Sequence, residues 1–299
     1  MNSTTTAIKS HLLGRMLDSW DKSDKQKLAN KTFPRGVVEK LSIHYTQAKK
    51  HEHSLDVYYP EGHRGQLPVL VDIHGGGFMC NDKESTRLFG YHIARRGFLV
   101  FNLNYRLALS NVKVTDQIQD IAHAAAWISE HLAEFGGDPG KVYISGHSAG
   151  AVLAISEVLN SQSSRLRDVF RLAEVETLQY LGLALNCGFM IFYQRTLAYR
   201  LLRQMVFPEN YENDDRYHNM IWNQIPELAA LPKTFLSSNK KDELRNMTRM
   251  FKQILDERGV PNHMNYQTTG SLGHMAIIYD PGSAECSAVI DEMVGYLLA

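Results

Sequence analysis

Val142-Tyr143-Ile144-Ser145-Gly146-His147-Ser148-Ala149-Gly150-Ala151 is the stretch whose reading decides the fold. Three β-favouring residues and a serine run into a glycine, and from Ala149 to Leu159 the chain turns small and apolar with helical spacing. This predicts a strand, a sharp turn at Ser148 and a helix. A turn that tight has no space for β-carbons two residues to either side of the serine, and Gly146 and Gly150 stand there. Ser148 itself is expected in a strained backbone conformation that lifts its hydroxyl clear of both elements. The pattern G-x-S-x-G arises by chance and is weak alone; the flanking strand and helix give it weight.

Upstream, Pro68-Val69-Leu70-Val71-Asp72-Ile73 is a β-rich run followed at once by His74-Gly75-Gly76-Gly77-Phe78. Three successive glycines can turn their N–H groups toward one point, which suits an anion forming during a reaction. A flexible turn or a phosphate loop would look similar. No G-K-[ST] follows, however, and G-x-G-x-x-G is not matched.

The rest of the chain alternates in the same way. Strands are predicted at Leu55–Tyr59, Phe98–Tyr105, Leu178–Asn186, Thr234–Ser238 and His263–Gln267. Helices are predicted over 84–96, 117–135, around 247–255 and from about Ser283. Near-continuous apolar strands separated by helices imply an α/β protein whose mostly parallel central sheet is covered on both faces. Residues 188–230 interrupt the alternation with Phe189, Phe192, Tyr193, Tyr199, Phe207, Tyr211, Tyr217 and Trp222. This insertion reads as a helical cap beside the site, or else as a packed excursion with no ligand role. Residues 1–36 read as an N-terminal helical arm, either packed on the domain or part of the cap, and 37–299 as one catalytic domain.

Taken together, His74-Gly75-Gly76-Gly77 and Gly146-His147-Ser148-Ala149-Gly150 resemble the two signatures of the hormone-sensitive-lipase-like carboxylesterases, within the α/β-hydrolase fold. Asn104-Tyr105-Arg106-Leu107-Ala108 resembles the family's Y-R-L-A segment, and the likeness extends over about residues 55–299. It implies an orienting acid at Asp242, in Lys241-Asp242-Glu243-Leu244-Arg245, and a base at His274, in Gly273-His274-Met275. The order Ser148, Asp242, His274 is that of the fold. The amides of Gly76, Gly77 and Ala149 would form the oxyanion hole. Phe78, Met79, Phe189 and Phe192 are expected to line the substrate pocket. His147 stands where the family commonly has an acidic residue, and G-H-S-A-G-A is also seen in the related arylformamidases.

Asp256, Glu243 and Asp280 are the rival acids. His74 is expected to brace the glycine loop by a hydrogen bond. Cys80 reads as a small apolar wall residue. His51-Glu52-His53, taken as strand, would put two imidazoles on one face, but no third ligand is evident and H-E-x-x-H is absent, so no metal site is expected. The chemistry requires no cofactor.

Composition bounds the rest. The 299 residues are 44% hydrophobic and 21% charged, enough for a sizeable core. With 32 basic and 32 acidic residues the formal charge is zero, which disfavours nucleic acid or a polybasic membrane contact. Cys80, Cys187 and Cys286 form no C-x-x-C. No signal-peptide core or membrane span is visible, so a cytoplasmic setting is expected. The expected activity is hydrolysis of small to medium uncharged carboxylic esters through an acyl-enzyme. An arylformamidase-type amidase and a non-catalytic binding protein on the same scaffold are the alternatives. The expected partner is a small-molecule ester, and oligomeric state is left open.

Overall fold

Side-chain alternation along β3 (Leu67–Ile73) sets the layers. In a computed structural model, which describes residues 19, 22–172, 177–192, 197–268 and 273–299, Val69, Val71 and Ile73 join one buried apolar cluster. Leu70, between them, joins a second cluster. The two clusters lie on opposite faces of the sheet, as the period of two requires.

The sheet has eight strands in the order β1-β2-β4-β3-β5-β6-β7-β8. Besides β3 they are β1 (Val37–His44), β2 (Ser54–Pro60), β4 (Leu99–Leu103), β5 (Gly137–His147), β6 (Tyr180–Asn186), β7 (Lys233–Asn239) and β8 (Asn262–Gln267). From β4 to β8 every pairing is parallel, and at one edge β2 runs antiparallel to both of its neighbours, β4 and β1. Helices Arg87–Ala94, Val114–His131, Gly150–Gln162, Arg245–Glu257 and Ala284–Leu298 fall where their apolar spacing predicts. This is the α/β-hydrolase architecture.

Two expectations change. The strand Val37–His44 was not anticipated, because its sequence VVEKLSIH shows no clean alternation. It is a partly exposed edge strand, with a register shift between Lys40 and Ile43 and Ser42 at φ 57°. His51–His53 is a 3₁₀ turn and not a strand. The two rings therefore part: His51 Nε2 lies 4.0 Å from Asp82, and His53 Nε2 lies 3.3 Å from Asp120.

The insertion between β6 and β7 is built from the helix Leu197–Val206 and several single turns. Its rings pack on one another: Phe207 lies 5.0 Å from Phe192, 5.6 Å from Tyr211 and 5.1 Å from Tyr217 between centroids. Tyr193 lies outside the described residues, as do residues 1–18, 20 and 21 of the N-terminal segment. The described remainder of that segment is tied to the domain, with Asn81 Nδ2 donating to Asp24 and Lys31 pairing with Asp280.

The helix Gly150–Gln162 is buried from residue 150 to 160, and it carries a carboxyl at Glu157. Burial pushes that carboxyl up to about 7, against a hydrogen bond from Tyr180 and the charge of Arg167. The folded protein keeps Glu157 neutral where the unfolded chain ionises it, so stability falls as pH rises from about 4.5 to about 7 and is level above. The fall attributable to this group is on the order of 3 kcal/mol. Glu157→Gln should flatten it, read as urea unfolding free energy at several pH values. An unchanged slope would remove Glu157 as its source.

Candidate active site

β3 and β5 are neighbours, so the two glycine motifs leave the sheet side by side at its carboxyl end. Ser148 follows β5 at φ 50°, the left-handed region that a serine adopts only under constraint. Its N–H donates to the Asn186 carbonyl at 3.0 Å, and its carbonyl accepts from Phe189 N–H at 2.8 Å. The turn is thus pinned to the end of β6. The glycines are required by contact. A β-carbon at Gly150 would lie 2.4 Å from the carbonyl oxygens of both Ile73 and His74, and one at Gly146 would lie 2.4 Å from that of Gly150. Gly150→Ala should therefore lower stability by about 2 kcal/mol or more and abolish activity with it. Thermal unfolding checks this; a wild-type melting temperature would refute it.

The structure brings Ser148, Asp242 and His274 together from three loops. Ser148 Oγ lies 3.0 Å from His274 Nε2, and His274 Nδ1 lies 2.8 Å from Asp242 Oδ1. A carboxylate only accepts, so the imidazole proton sits on Nδ1 and the Nε2 lone pair faces the serine hydroxyl. Asp242 is fully buried. Burial by itself raises its carboxyl, but hydrogen bonds from His274, from the Ser238 hydroxyl at 2.6 Å and from Leu244 N–H at 2.9 Å outweigh it and hold the group below its ordinary value. The carboxylate is therefore charged at neutral pH. The rivals lie elsewhere: Glu243 is exposed, Asp256 pairs with Lys252, and Asp280 pairs with Lys31.

The glycine loop is braced from two sides. His74 Nδ1–H donates to the Gly75 carbonyl at 2.7 Å, and the ring stacks on Tyr105 at 4.3 Å between centroids. Burial pushes the imidazole down to about 4, so it is neutral at pH 7. The Gly76 carbonyl accepts from Met79 and Cys80 N–H, both at 3.0 Å, and Gly76 takes φ 111° where a β-carbon would overlap the Cys80 carbonyl. Gln117 donates to the carbonyls of Phe78 and Arg106, both at 2.8 Å. The N–H groups of Gly76, Gly77 and Ala149 make no hydrogen bond to other described residues, so all three remain available as donors.

Phe78, Phe189 and Phe192 form one ring cluster, with centroids 5.7, 5.7 and 5.1 Å apart, and all three are buried. Met79 is also buried. His147 is engaged away from this chemistry. Its Nε2–H donates to Asp72 Oδ1 at 2.7 Å, Ser145 donates to the same oxygen at 2.5 Å, and Phe89 packs edge-on against the ring. Sequence reasoning missed this buried trio, and it missed Ser238 and Gln117 as supports. Asp72 in the middle of an apolar strand was the one available signal.

Among the described residues, Cys187, Asp242 and His274 each bring a potential metal-ligand atom within 4.8 Å of the others. Burial holds the Cys187 thiol well above its ordinary value, with Asp242 adding to the shift, so the sulfur stays protonated. The other two already share the Nδ1 proton. The set reads as an acid–base pair beside a neutral thiol.

The fold and this constellation define an α/β hydrolase with a serine–histidine–aspartate arrangement. Comparison with known proteins supports the fold. A family model described as BD-FAE matches residues 55–180. The chain is 31% identical over 113 residues to isoprenylcysteine alpha-carbonyl methylesterase ICME of Arabidopsis thaliana, covering 38% of this chain and 26% of that protein. It is 36% identical over 100 residues to versiconal hemiacetal acetate esterase of Dothistroma septosporum (strain NZE10 / CBS 128990), covering 33% of this chain and 30% of that protein. These matches span under a third of the relatives' own length. Among solved structures, esterase B from Lactobacillus rhamnosis (HN001) superposes with a TM-score of 0.88 at 23% identity, over 97% of this chain and 95% of that one. A bacterial heroin esterase superposes with a TM-score of 0.75 at 23% identity, over 95% and 90%. At that identity the likeness carries the fold. The chain has the α/β-hydrolase fold, and the named esterases among its relatives support its resemblance to the hormone-sensitive-lipase-like carboxylesterases. No helix among the described residues is long and apolar enough to cross a membrane.

Proposed function

We propose that the chain is a serine carboxylesterase acting on small to medium uncharged esters through an acyl-enzyme. The observation that carries this reading is the chain of hydrogen bonds from Ser148 through His274 to a buried Asp242 carboxylate. Ser148 Oγ attacks the ester carbonyl while His274 Nε2 takes its proton. The amides of Gly76, Gly77 and Ala149 hold the oxyanion, and losing one such donor typically costs about 3 kcal/mol of barrier. His274 returns the proton to the departing alcohol, then deprotonates the water that releases the acid. Asp242 keeps the imidazole in the required tautomer and stabilises the imidazolium. The matched relatives include proteins named as esterases, which favours an ester substrate.

The arylformamidase-type alternative rests on the Gly146-His147-Ser148-Ala149-Gly150-Ala151 motif, whereas the matched relatives named as esterases favour the ester reading. The insertion 188–230 is read as a cap, with Phe189 hydrogen-bonded to the backbone of Ser148 as its closest tie to the nucleophile. The described part of the N-terminal arm, hydrogen-bonded to Asn81 beyond the glycine loop, is read as part of the same rim. A cytoplasmic setting belongs to this reading and is consistent with three buried cysteine thiols.

The test is a series of aryl esters of increasing acyl length. With Phe78, Phe189 and Phe192 closed on one another, kcat/KM should peak at short acyl chains, and Phe189→Ala should move the peak longer. Each methylene accommodated is worth about 0.8 kcal/mol, roughly fourfold. A wild-type peak at long chains would contradict the assignment of these rings to the acyl pocket. Absence of hydrolysis across the whole series would overturn the esterase reading.

A further inference from the structure

A second cleft of about 310 Å³ lies between the helices Val114–His131, Gly150–Gln162 and Ser164–Phe170. It opens near the far end of the helix that begins at the nucleophile, so Asn160 is about 15 Å along that helix from Gly150. Two buried polar side chains reach it. Asn160 is 2% exposed, and neither its amide oxygen nor its amide nitrogen has a hydrogen-bond partner among the described residues. Glu157 is 3% exposed and accepts a hydrogen bond from Tyr180 through Oε1. A buried primary amide without partners is rare and unfavourable, and points to a ligand group that completes it. Arg167 and Arg171 bring positive charge to the same cleft, while Ala125, Ala126 and Leu172 supply an apolar wall.

We propose that this cleft is a binding site for a short aliphatic carboxylate, its head at Asn160 with the arginines and its tail against Ala125, Ala126 and Leu172. The Asn160 N–H₂ donates to the carboxylate, and the arginines compensate its charge. A neutral Glu157 adds a donor, while an ionised one repels the ligand. The charged and titratable groups beside Glu157 or lining the same cleft are Tyr180 from β6, Arg167 and Arg171 from the helix 164–170 and its end, and His123 from the helix 114–131. Binding therefore strengthens as pH falls through about 7, where burial has placed the Glu157 carboxyl.

The test is alanine-methyl NMR of the full chain titrated with butyrate, with butyramide and butylammonium as neutral and cationic controls. Butyrate should shift the Ala125 and Ala126 methyls saturably, and the controls should not. Asn160→Leu should weaken binding about tenfold. Arg171→Gln, at an exposed position, should weaken it too, which keeps the test valid if the buried substitution fails to fold. Raising the pH from about 6 to about 8 should weaken butyrate binding in the wild type, and less so in Glu157→Gln. Methyls that stay still would mean that water alone fills the cleft and would overturn the proposal, as would an equal response to butyramide or a preference for butylammonium. No turnover is read, so this outcome is independent of the esterase assignment.

Discussion

Ser148→Ala should lower kcat for a short aryl ester on the order of 10⁶-fold while leaving the thermal unfolding midpoint near or above that of the wild type. The fold cost is small because alanine keeps the β-carbon and loses only a hydroxyl, whose partner is the solvent-facing His274 ring at 3.0 Å. The strained φ of 50° is retained and is borne as well by alanine as by serine, since neither has a branched side chain. The kinetic cost is large because His274 Nε2 loses the hydroxyl it activates, and burial holds the nearby Cys187 sulfur protonated. What survives is the catalysis that the unbonded amides and substrate binding provide alone, typically about 10³-fold over water. The matching measurement on the wild type is covalent labelling by an organophosphonate, with the modified peptide containing Ser148. Residual turnover within a hundredfold of wild type would remove Ser148 from its role.

Asp242→Asn should cost about 10⁴-fold in kcat with little change in KM. Asparagine fits the same space and, with its nitrogen at the Oδ1 place that faces His274, keeps an oxygen for Ser238, which donates to Oδ2 at 2.6 Å, while the bond that Leu244 N–H donates to Oδ1 at 2.9 Å is given up. Its amide can instead donate to His274 Nδ1. That moves the imidazole proton to Nε2, where it faces the Ser148 hydroxyl and cannot accept from it. The charge that would stabilise the imidazolium is also gone. Glu243→Gln and Asp256→Asn, at the rival positions, should stay within a fewfold of wild type. If either matched the loss at Asp242, the orienting acid would have been misassigned.

How much of this was legible depended on how local the physical reason was. The elbow around Ser148 was readable because its steric demand lies within five residues, and the 2.4 Å approaches at Gly146 and Gly150 are that demand made visible. The inner parallel strands β3, β4 and β6 were readable because they are buried nearly throughout on both faces and so are largely apolar. The edge strand Val37–His44 was not, since half of its surface meets solvent and its polar residues look like loop. The turn at His51–His53 was misread as strand for the same reason: three polar residues carry no period.

The support behind the site was hidden for a different reason. Asp72, Ser145 and His147 meet because β3 and β5 pair in parallel with Asp72 opposite Ser145, and no spacing along one strand announces a register between two. Ser238 on Asp242, Gln117 under the glycine loop, and the ring closure of Phe78, Phe189 and Phe192 likewise join distant segments.

The sequence by itself determined the layered α/β architecture, the strained turn and the serine that stands on it, because backbone sterics and hydrophobic period act over a few residues; His274 and Asp242 were only what the family resemblance implied. Only the tertiary structure decided which carboxyl reaches His274, that His147 turns to Asp72, and that Asn160 faces a second cleft unsatisfied. Those outcomes depend on distances between segments far apart in the chain, which packing of the whole core sets and no local pattern encodes.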